Sequence, residues 1–241
     1  MSFFIYLHLT RSIKKISSIN VTSRHYSGSI SNFTDLFTAM RELYEEENLT
    51  KAGFLIAKNS TSIYGYENDP SAGRTTIDSI FLDPVKYAGL RFLTQLNDPI
   101  MEISFDFLSS KVFLEGYTIT YSKKVRFMHH YQLFGEASPN NWVIIDDRVS
   151  SQSQDLVELG QIGDEPLNWA VHYSLPTQKR NYSKFKLKNL DTNMGEFGGA
   201  DVVLSKLLFF GTLYPGKIMY TAEKVKRKDQ MLFNFAMFSN F

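Results

Sequence analysis

The segment Tyr131–Arg148, YQLFGEASPNNWVIIDDR, alternates apolar and polar residues on either side of a centre that holds Pro139 and a pair of asparagines. Alternation at a period of two marks a half-buried strand, and proline beside asparagine marks a turn. The segment therefore reads as strand, turn, strand. Gly135 and Pro139 are read as shaping the turn. Trp142, one of two tryptophans in the chain, is read as entering the core where the second strand begins. On that reading Trp142→Ala costs about 3–5 kcal/mol.

The same period runs outward from this hairpin. In MEISFDF (Met101–Phe107), Ile103, Phe105 and Phe107 share one face. In KVFLEGYTITYS (Lys111–Ser122), Tyr117, Ile119 and Tyr121 fall together. Trp142 and Ile144 face away from Val143 and Ile145. WAVHYSL (Trp169–Leu175) groups Val171, Tyr173 and Leu175, and SKFKLK (Ser183–Lys188) alternates lysines with Phe185 and Leu187. VVLSKLLFFGTLY (Val202–Tyr214) is apolar on nearly both faces, as a strand covered on two sides must be. Short strands separated by turn signals predict an all-β sandwich or barrel, and no βα alternation points to a doubly wound fold.

Ahead of the strands, SNFTDLFTAMRELYEEE (Ser31–Glu47) has helical period, with Phe33, Leu36, Phe37, Met40, Leu43 and Tyr44 on one face. Ser31 or Asn32 is the expected cap. The three closing glutamates oppose the helix dipole and predict fraying there. The chain thus divides into an N-terminal extension (1–57) with an amphipathic helix over 31–47, a β-sandwich over 58–214, and a C-terminal tail (215–241).

Composition narrows the function. The chain has 241 residues, 43% of them hydrophobic and 15% aromatic, enough apolar material for a core. The 26 Lys and Arg nearly cancel the 25 Asp and Glu, so no global field for nucleic acid or an anionic membrane exists. No cysteine is present, which excludes disulfides, thiolate metal sites and cysteine nucleophiles and fits a cytoplasmic protein. Asn20, Asn32, Asn48, Asn59 and Asn181 each open an Asn-x-Ser/Thr triplet, the glycan-acceptor pattern of secreted proteins. In a chain rich in Ser, Thr and Asn, such matches are read as chance. The apolar stretch Phe3–Leu9 is short and is followed rather than preceded by basic residues, so it reads as a packing segment. No run approaches the roughly 20 apolar residues of a membrane span.

Few residues propose chemistry. His129 and His130 are neighbours, which a strand would point to opposite faces, so neither they nor His172 are assigned to a metal. Asp146, Asp147, Asp155 and Glu158 read as a solvated edge rather than an acid–base pair. The glycine-rich Gly195–Asp201 lacks the Lys-Ser/Thr of a phosphate loop and reads as a tight turn. No catalytic residue, metal or cofactor is assigned. The expected ligand contacts are Tyr64, Tyr66 and Arg74, in a turn-rich stretch where binding residues concentrate. Aromatic faces suit sugar rings, and arginine suits carboxylates and phosphates.

Four segments in order resemble a known family: ISFDFLSSKVFLEGYTI (Ile103–Ile119), the opening hairpin, YSKFKLKNL (Tyr182–Leu190) and LSKLLFFGTLY (Leu204–Tyr214). They are similar to the coagulation-factor type C, or discoidin-like, domain, in particular to its divergent cysteine-free protist versions. Asp106 and Phe107, Tyr117 and Ile119, Gly135 and Trp142, and Phe210 and Gly211 match its pattern. The resemblance implies a galactose-binding-like jelly-roll β-sandwich, non-enzymatic, that holds a glycan or protein ligand through loops at one end. It makes Tyr64–Thr75 and Asp83–Asp98 the candidate loops. The alternative is an intracellular interaction domain in which the helix and the tail contact partner chains and the sandwich serves as scaffold.

Overall fold

The hairpin that opens the sequence reading is the best guide to the architecture. In the computed structural model, β6 (Met128–Ser138) and β7 (Asn141–Val149) pair antiparallel, with Ser138 opposite Asn141 and Tyr131 opposite Arg148. Pro139 and Asn140 make the turn. Proline holds φ near −65°, and Asn140 takes the left-handed region at φ 63°. The Glu136 carboxylate accepts the Asn140 N–H at 2.9 Å and closes the loop. The structure describes residues 18–21, 35–59, 77–83, 86, 92–93, 101–121, 128–149, 157–162, 165–175, 179–192 and 203–216.

The remaining described strands are β1 (Ile19–Val21), β2 (Ile56–Asn59), β3 (Phe92–Leu93), β4 (Glu102–Asp106), β5 (Lys111–Tyr121), β8 (Val157–Ile162), β9 (Glu165–Ser174), β10 (Lys184–Thr192) and β11 (Val203–Tyr214). They form two antiparallel sheets. One runs β1-β11-β5-β9-β8, with β3 also on β11, and the other runs β2-β4-β10-β6-β7. The chain is the mainly β sandwich that its period predicts. Inward residues of both sheets make one core. Phe105 and Phe185 stack at 5.8 Å, and Phe209 stands edge-on to both at 5.4 and 5.1 Å. β11 lies between β1 and β5 and is buried on both faces, as its apolar run requires.

The predicted helix is present but shorter: α1 spans Leu36–Tyr44. Its cap is Asp35 rather than Ser31 or Asn32, which lie outside the described residues. The Asp35 side chain accepts from the Thr38 N–H at 2.9 Å. The helix stops before the glutamates, where Glu45 turns left-handed at φ 54° and its N–H bonds back to Arg41 and Glu42. Leu36, Phe37, Ala39 and Met40 are buried in the same cluster as the strands. Phe37 lies 5.0 Å from Phe81, 5.7 Å from Phe107 and 5.6 Å from Phe209. The residues before Lys58 therefore give the sandwich an edge strand and a packed helix.

Two readings of the hairpin need correction. Gly135 is not in the turn but inside β6, opposite Phe185 and Val143. A Cβ there would sit 2.5 Å from the Tyr182 ring, so glycine is required by close approach rather than by a bend. Trp142 does not enter the core. Alternation carries Val143 inward and puts Trp142 on the outer face, half-buried, with Lys186 Nζ 4.6 Å from its ring centre.

Candidate functional site

The two ends of the sandwich are built differently. Residues 60–76 join Asn59 to Ile77, 94–100 join Leu93 to Met101, 122–127 join Tyr121 to Met128, and 193–202 join Thr192 to Val203. Register places all of these junctions at one end: Asn59 faces Ile103, Tyr121 faces Leu204, Leu93 faces Val203 and Met128 faces Thr192. This is the loop end. Among the described residues, the opposite, turn end carries the Pro139–Asn140 turn, the Phe107–Ser110 turn with its 3.0 Å N–H···O bond, and the bridge between Val112 and Tyr182.

Tyr64, Tyr66 and Arg74 lie outside the described residues, as does the glycine-rich Gly195–Asp201. Their sequence position assigns the first three to the segment that leaves β2 at the loop end. Of the second candidate loop, Asp83, Lys86, Phe92 and Leu93 are described. Between the two candidate segments stands a 3-10 helix, Ile77–Phe81, with Ser79, Ile80 and Phe81 buried. Beside it, Asp83 and Lys86 face the C-terminal end of α1 across a cleft of about 280 Å³ lined also by Thr38, Arg41 and the glutamates from Glu42 to Glu47. Lys86 pairs with Glu47 there.

Beneath the 3-10 helix lies a buried polar group that sequence reasoning missed. Lys206, 2% exposed, donates from Nζ to the Ser79 carbonyl at 2.7 Å. Arg41 donates from Nη1 to the Phe81 carbonyl at 2.7 Å and from Nη2 to Thr38 Oγ1 at 2.6 Å. Thr38 Oγ1 in turn donates to Asp35 Oδ1 at 2.6 Å. Burial raises the Asp35 carboxyl above its usual range, against the opposing pull of Arg41. Burial, with the Arg41 charge beside it, pushes the Lys206 ammonium down to about 8. The signal was present: Lys206 is the one charged residue in a run read as covered on both faces.

On the flank between β7 and β9, Asp146 is not a solvated edge. β7 carries a bulge at Ile145, since Leu133 faces Asp146 while Phe134 faces Ile144. A bulge sends two successive residues to one side. Ile145 packs against the core, and the Asp146 side chain is 11% exposed. Its Oδ2 accepts from the Tyr117 hydroxyl at 2.7 Å and from Arg148 Nε at 2.8 Å. Arg148 also lies over the Tyr173 ring, 4.7 Å from its centre. Because Tyr117 gives its proton to the carboxylate, the 3.5 Å contact between the two hydroxyls has Tyr131 donating to Tyr117.

Asp147 points the other way, accepting from Gln132 at 2.8 Å and bonding His130 at 2.9 Å. Those bonds hold its carboxyl below the usual range, the Gln132 bond most. The adjacent carboxylates thus lie on opposite faces of β7 and cannot attack one bond from two sides. Asp155 lies outside the described residues. The histidines also separate: His172, in the other sheet, bonds Thr118 at 2.9 Å. Among the described residues no group of three His, Cys, Asp or Glu side chains could hold a metal. No described helix is long and apolar enough to cross a membrane.

No protein-family model matches the sequence, and no curated protein matches it. Several solved structures are similar to it. The C-terminal domain of a chitobiase from Bacteroides fragilis is 12% identical, with a TM-score of 0.45 over 67% of this chain and 96% of that one. A chitosan-binding module from a Paenibacillus sp. IK-5 chitosanase/glucanase is 11% identical, with a TM-score of 0.43 over 64% and 92%. A Clostridium perfringens module, CpGH89CBM32-5, solved with GalNAc-β-1,3-galactose, is 14% identical, with a TM-score of 0.42 over 66% and 96%. The fold assignment rests on this chain's own sheet order and register.

Proposed function

We propose that the chain is a non-catalytic binding module that holds a glycan at the loop end of the sandwich, with Tyr64, Tyr66 and Arg74 as contact residues. One observation carries the reading. The strand ends from which 60–76, 94–100, 122–127 and 193–202 leave, Asn59, Leu93, Tyr121 and Thr192, stand at one end of a rigid two-sheet frame, and among the described residues the other end carries the Phe107–Ser110 and Pro139–Asn140 turns. Binding residues concentrate on loops that a scaffold positions. Two tyrosines and an arginine on the segment leaving β2 supply the ring faces and the planar donor that sugars, and acidic sugars above all, engage.

The described carboxylates favour binding over hydrolysis, since Asp146 is tied to Tyr117 and Arg148 and Asp147 faces away from it. A role for α1 in gripping a partner chain is disfavoured, because Leu36, Phe37, Ala39 and Met40 are buried within the sandwich. The test is a glycan array with the wild type and with Tyr64→Ala, Tyr66→Ala and Arg74→Ala. The expected result is retention of a defined glycan class by the wild type and loss of about tenfold or more in affinity per variant. Silence of the wild type on the array, with turnover or a protein partner found instead, would overturn it.

A further inference from the structure

The 3-10 helix Ile77–Phe81 stands between the two segments expected to hold the ligand. A helix this short cannot satisfy its own last carbonyls. Here two basic side chains from different elements do so: Lys206 of β11 bonds the Ser79 carbonyl, and Arg41 of α1 bonds the Phe81 carbonyl, each at 2.7 Å. Lys206 is 2% exposed and Arg41 is 8% exposed. Burying two cations is costly, and it is offset here by the buried Asp35 carboxylate 3.9 Å from Arg41, by the charge of Asp83 near Lys206 and by the two carbonyls they bond. Each donates to one short helix, and Arg41 is itself braced through Thr38 to the Asp35 cap.

We propose that Lys206 and Arg41 are positioning residues: together they clamp the backbone of the 3-10 helix, which in sequence separates the two candidate ligand segments. The clamp ties α1 and β11 to the 3-10 helix through hydrogen bonds to main-chain carbonyls, so it fixes backbone rather than side chains. Its consequence for ligand affinity rests on the glycan-binding reading, but its consequence for the backbone does not.

The experiment compares wild type, Lys206→Met, Arg41→Met and Lys206→Arg in the full chain, by hydrogen exchange and by thermal unfolding. In Lys206→Met the melting temperature changes little, since the gain from losing a buried charge is offset by the Ser79 carbonyl losing its donor. Amides of residues 77–83 and the flanking segments exchange about tenfold faster, while those of β4, β6 and β10 do not change. Arg41→Met gives the same local pattern, and Lys206→Arg restores protection because a donor returns. Affinity for any glycan retained on the array falls in both methionine variants and recovers in Lys206→Arg. A folded methionine variant with wild-type exchange over 77–83 overturns the clamp. Faster local exchange with an array that stays silent supports the clamp and removes only the glycan reading. Should Lys206→Met fail to fold, Arg41→Met decides alone.

Discussion

The two ends of this sandwich differ in where their backbone is strained. At the turn end the backbone itself is constrained. Leu108 and Asn140 take φ 57° and 63°, Gly211 takes φ 137°, and Cβ atoms built at Gly211 and Gly216 would lie 2.1 Å from the Phe113 carbonyl oxygen and 2.2 Å from that of Ser109. At the loop end the fixing is done by side chains, as Lys206 and Arg41 reach main-chain carbonyls. Backbone constraints tolerate no substitution and make a rigid floor. Side-chain hydrogen bonds can be tuned residue by residue, which would suit the end proposed to hold ligand. The difference teaches where this chain can vary and where it cannot.

Breaking the turn end has the largest expected effect. Gly211→Ala combines a left-handed φ with a steric overlap, and strain and overpacking together cost roughly 4 kcal/mol. Chemical denaturation would read this as a large fall in midpoint at constant slope, and a near-wild-type midpoint would contradict the assigned geometry. Gly135→Ala follows at about 1–3 kcal/mol, because the Tyr182 ring must move. Gly135→Ala combined with Tyr182→Ala tests the cause, since the alanine costs little once the ring is gone.

The pH dependence of stability separates the buried tyrosines from the clamp. Burial raises the phenols of Tyr117, Tyr121 and Tyr131 well above 10, with Asp146 adding to the effect at Tyr117 and neighbouring tyrosines to that at Tyr121 and Tyr131. The native chain keeps these protons while the unfolded chain loses them, so their contribution is whole below about pH 10 and is lost as pH rises beyond it. Lys206 has the opposite sign. Its native value of about 8 lies below the ordinary 10.5. Between those values the unfolded chain binds more protons, so stability rises with pH across that window. Denaturant midpoints from pH 7 to 11 should climb and then fall in the wild type. Lys206→Met removes the climb, and Tyr131→Phe softens the fall. A flat profile would mean that neither group is buried as described.

The smallest effect belongs to Trp142. Half-buried on the outer face under Lys186, its replacement by alanine costs about 1 kcal/mol, the scale of a cation–π contact plus partial burial. A loss of 3 kcal/mol or more would restore a core role for the ring.

Much of this frame was readable from alternation alone. Ile103, Phe105 and Phe107, Tyr117 and Ile119, and Phe185 and Leu187 all point inward as their spacing requires, and β11 is covered on both faces as its run of apolar residues requires. The failures have physical causes. The Ile145 bulge breaks the period of two, so Asp146 turns inward beside Ile145 where strict alternation would put it at the surface. Gly135 looked like a turn former because close approach to a ring in another segment leaves no local trace. Trp142 followed the alternation, but its size suggested the core. The clamp was hidden because hydrogen bonds from side chains to distant carbonyls have no sequence period, although a lysine inside Leu204–Leu208 was a visible anomaly. For the ligand contacts the sequence offered residue types and a place in the chain, with no geometry.

The central claim is that ligand sits at the loop end. Photo-crosslinking answers it most directly: a diazirine-bearing form of the glycan retained on the array is activated on the full chain, and adducts are mapped by peptide mass spectrometry. The account predicts adducts within residues 60–76 and 83–98. Adducts confined to Phe107–Ser110 and Ser138–Asn141, or to the outer face around Trp142 and Lys186, would contradict it.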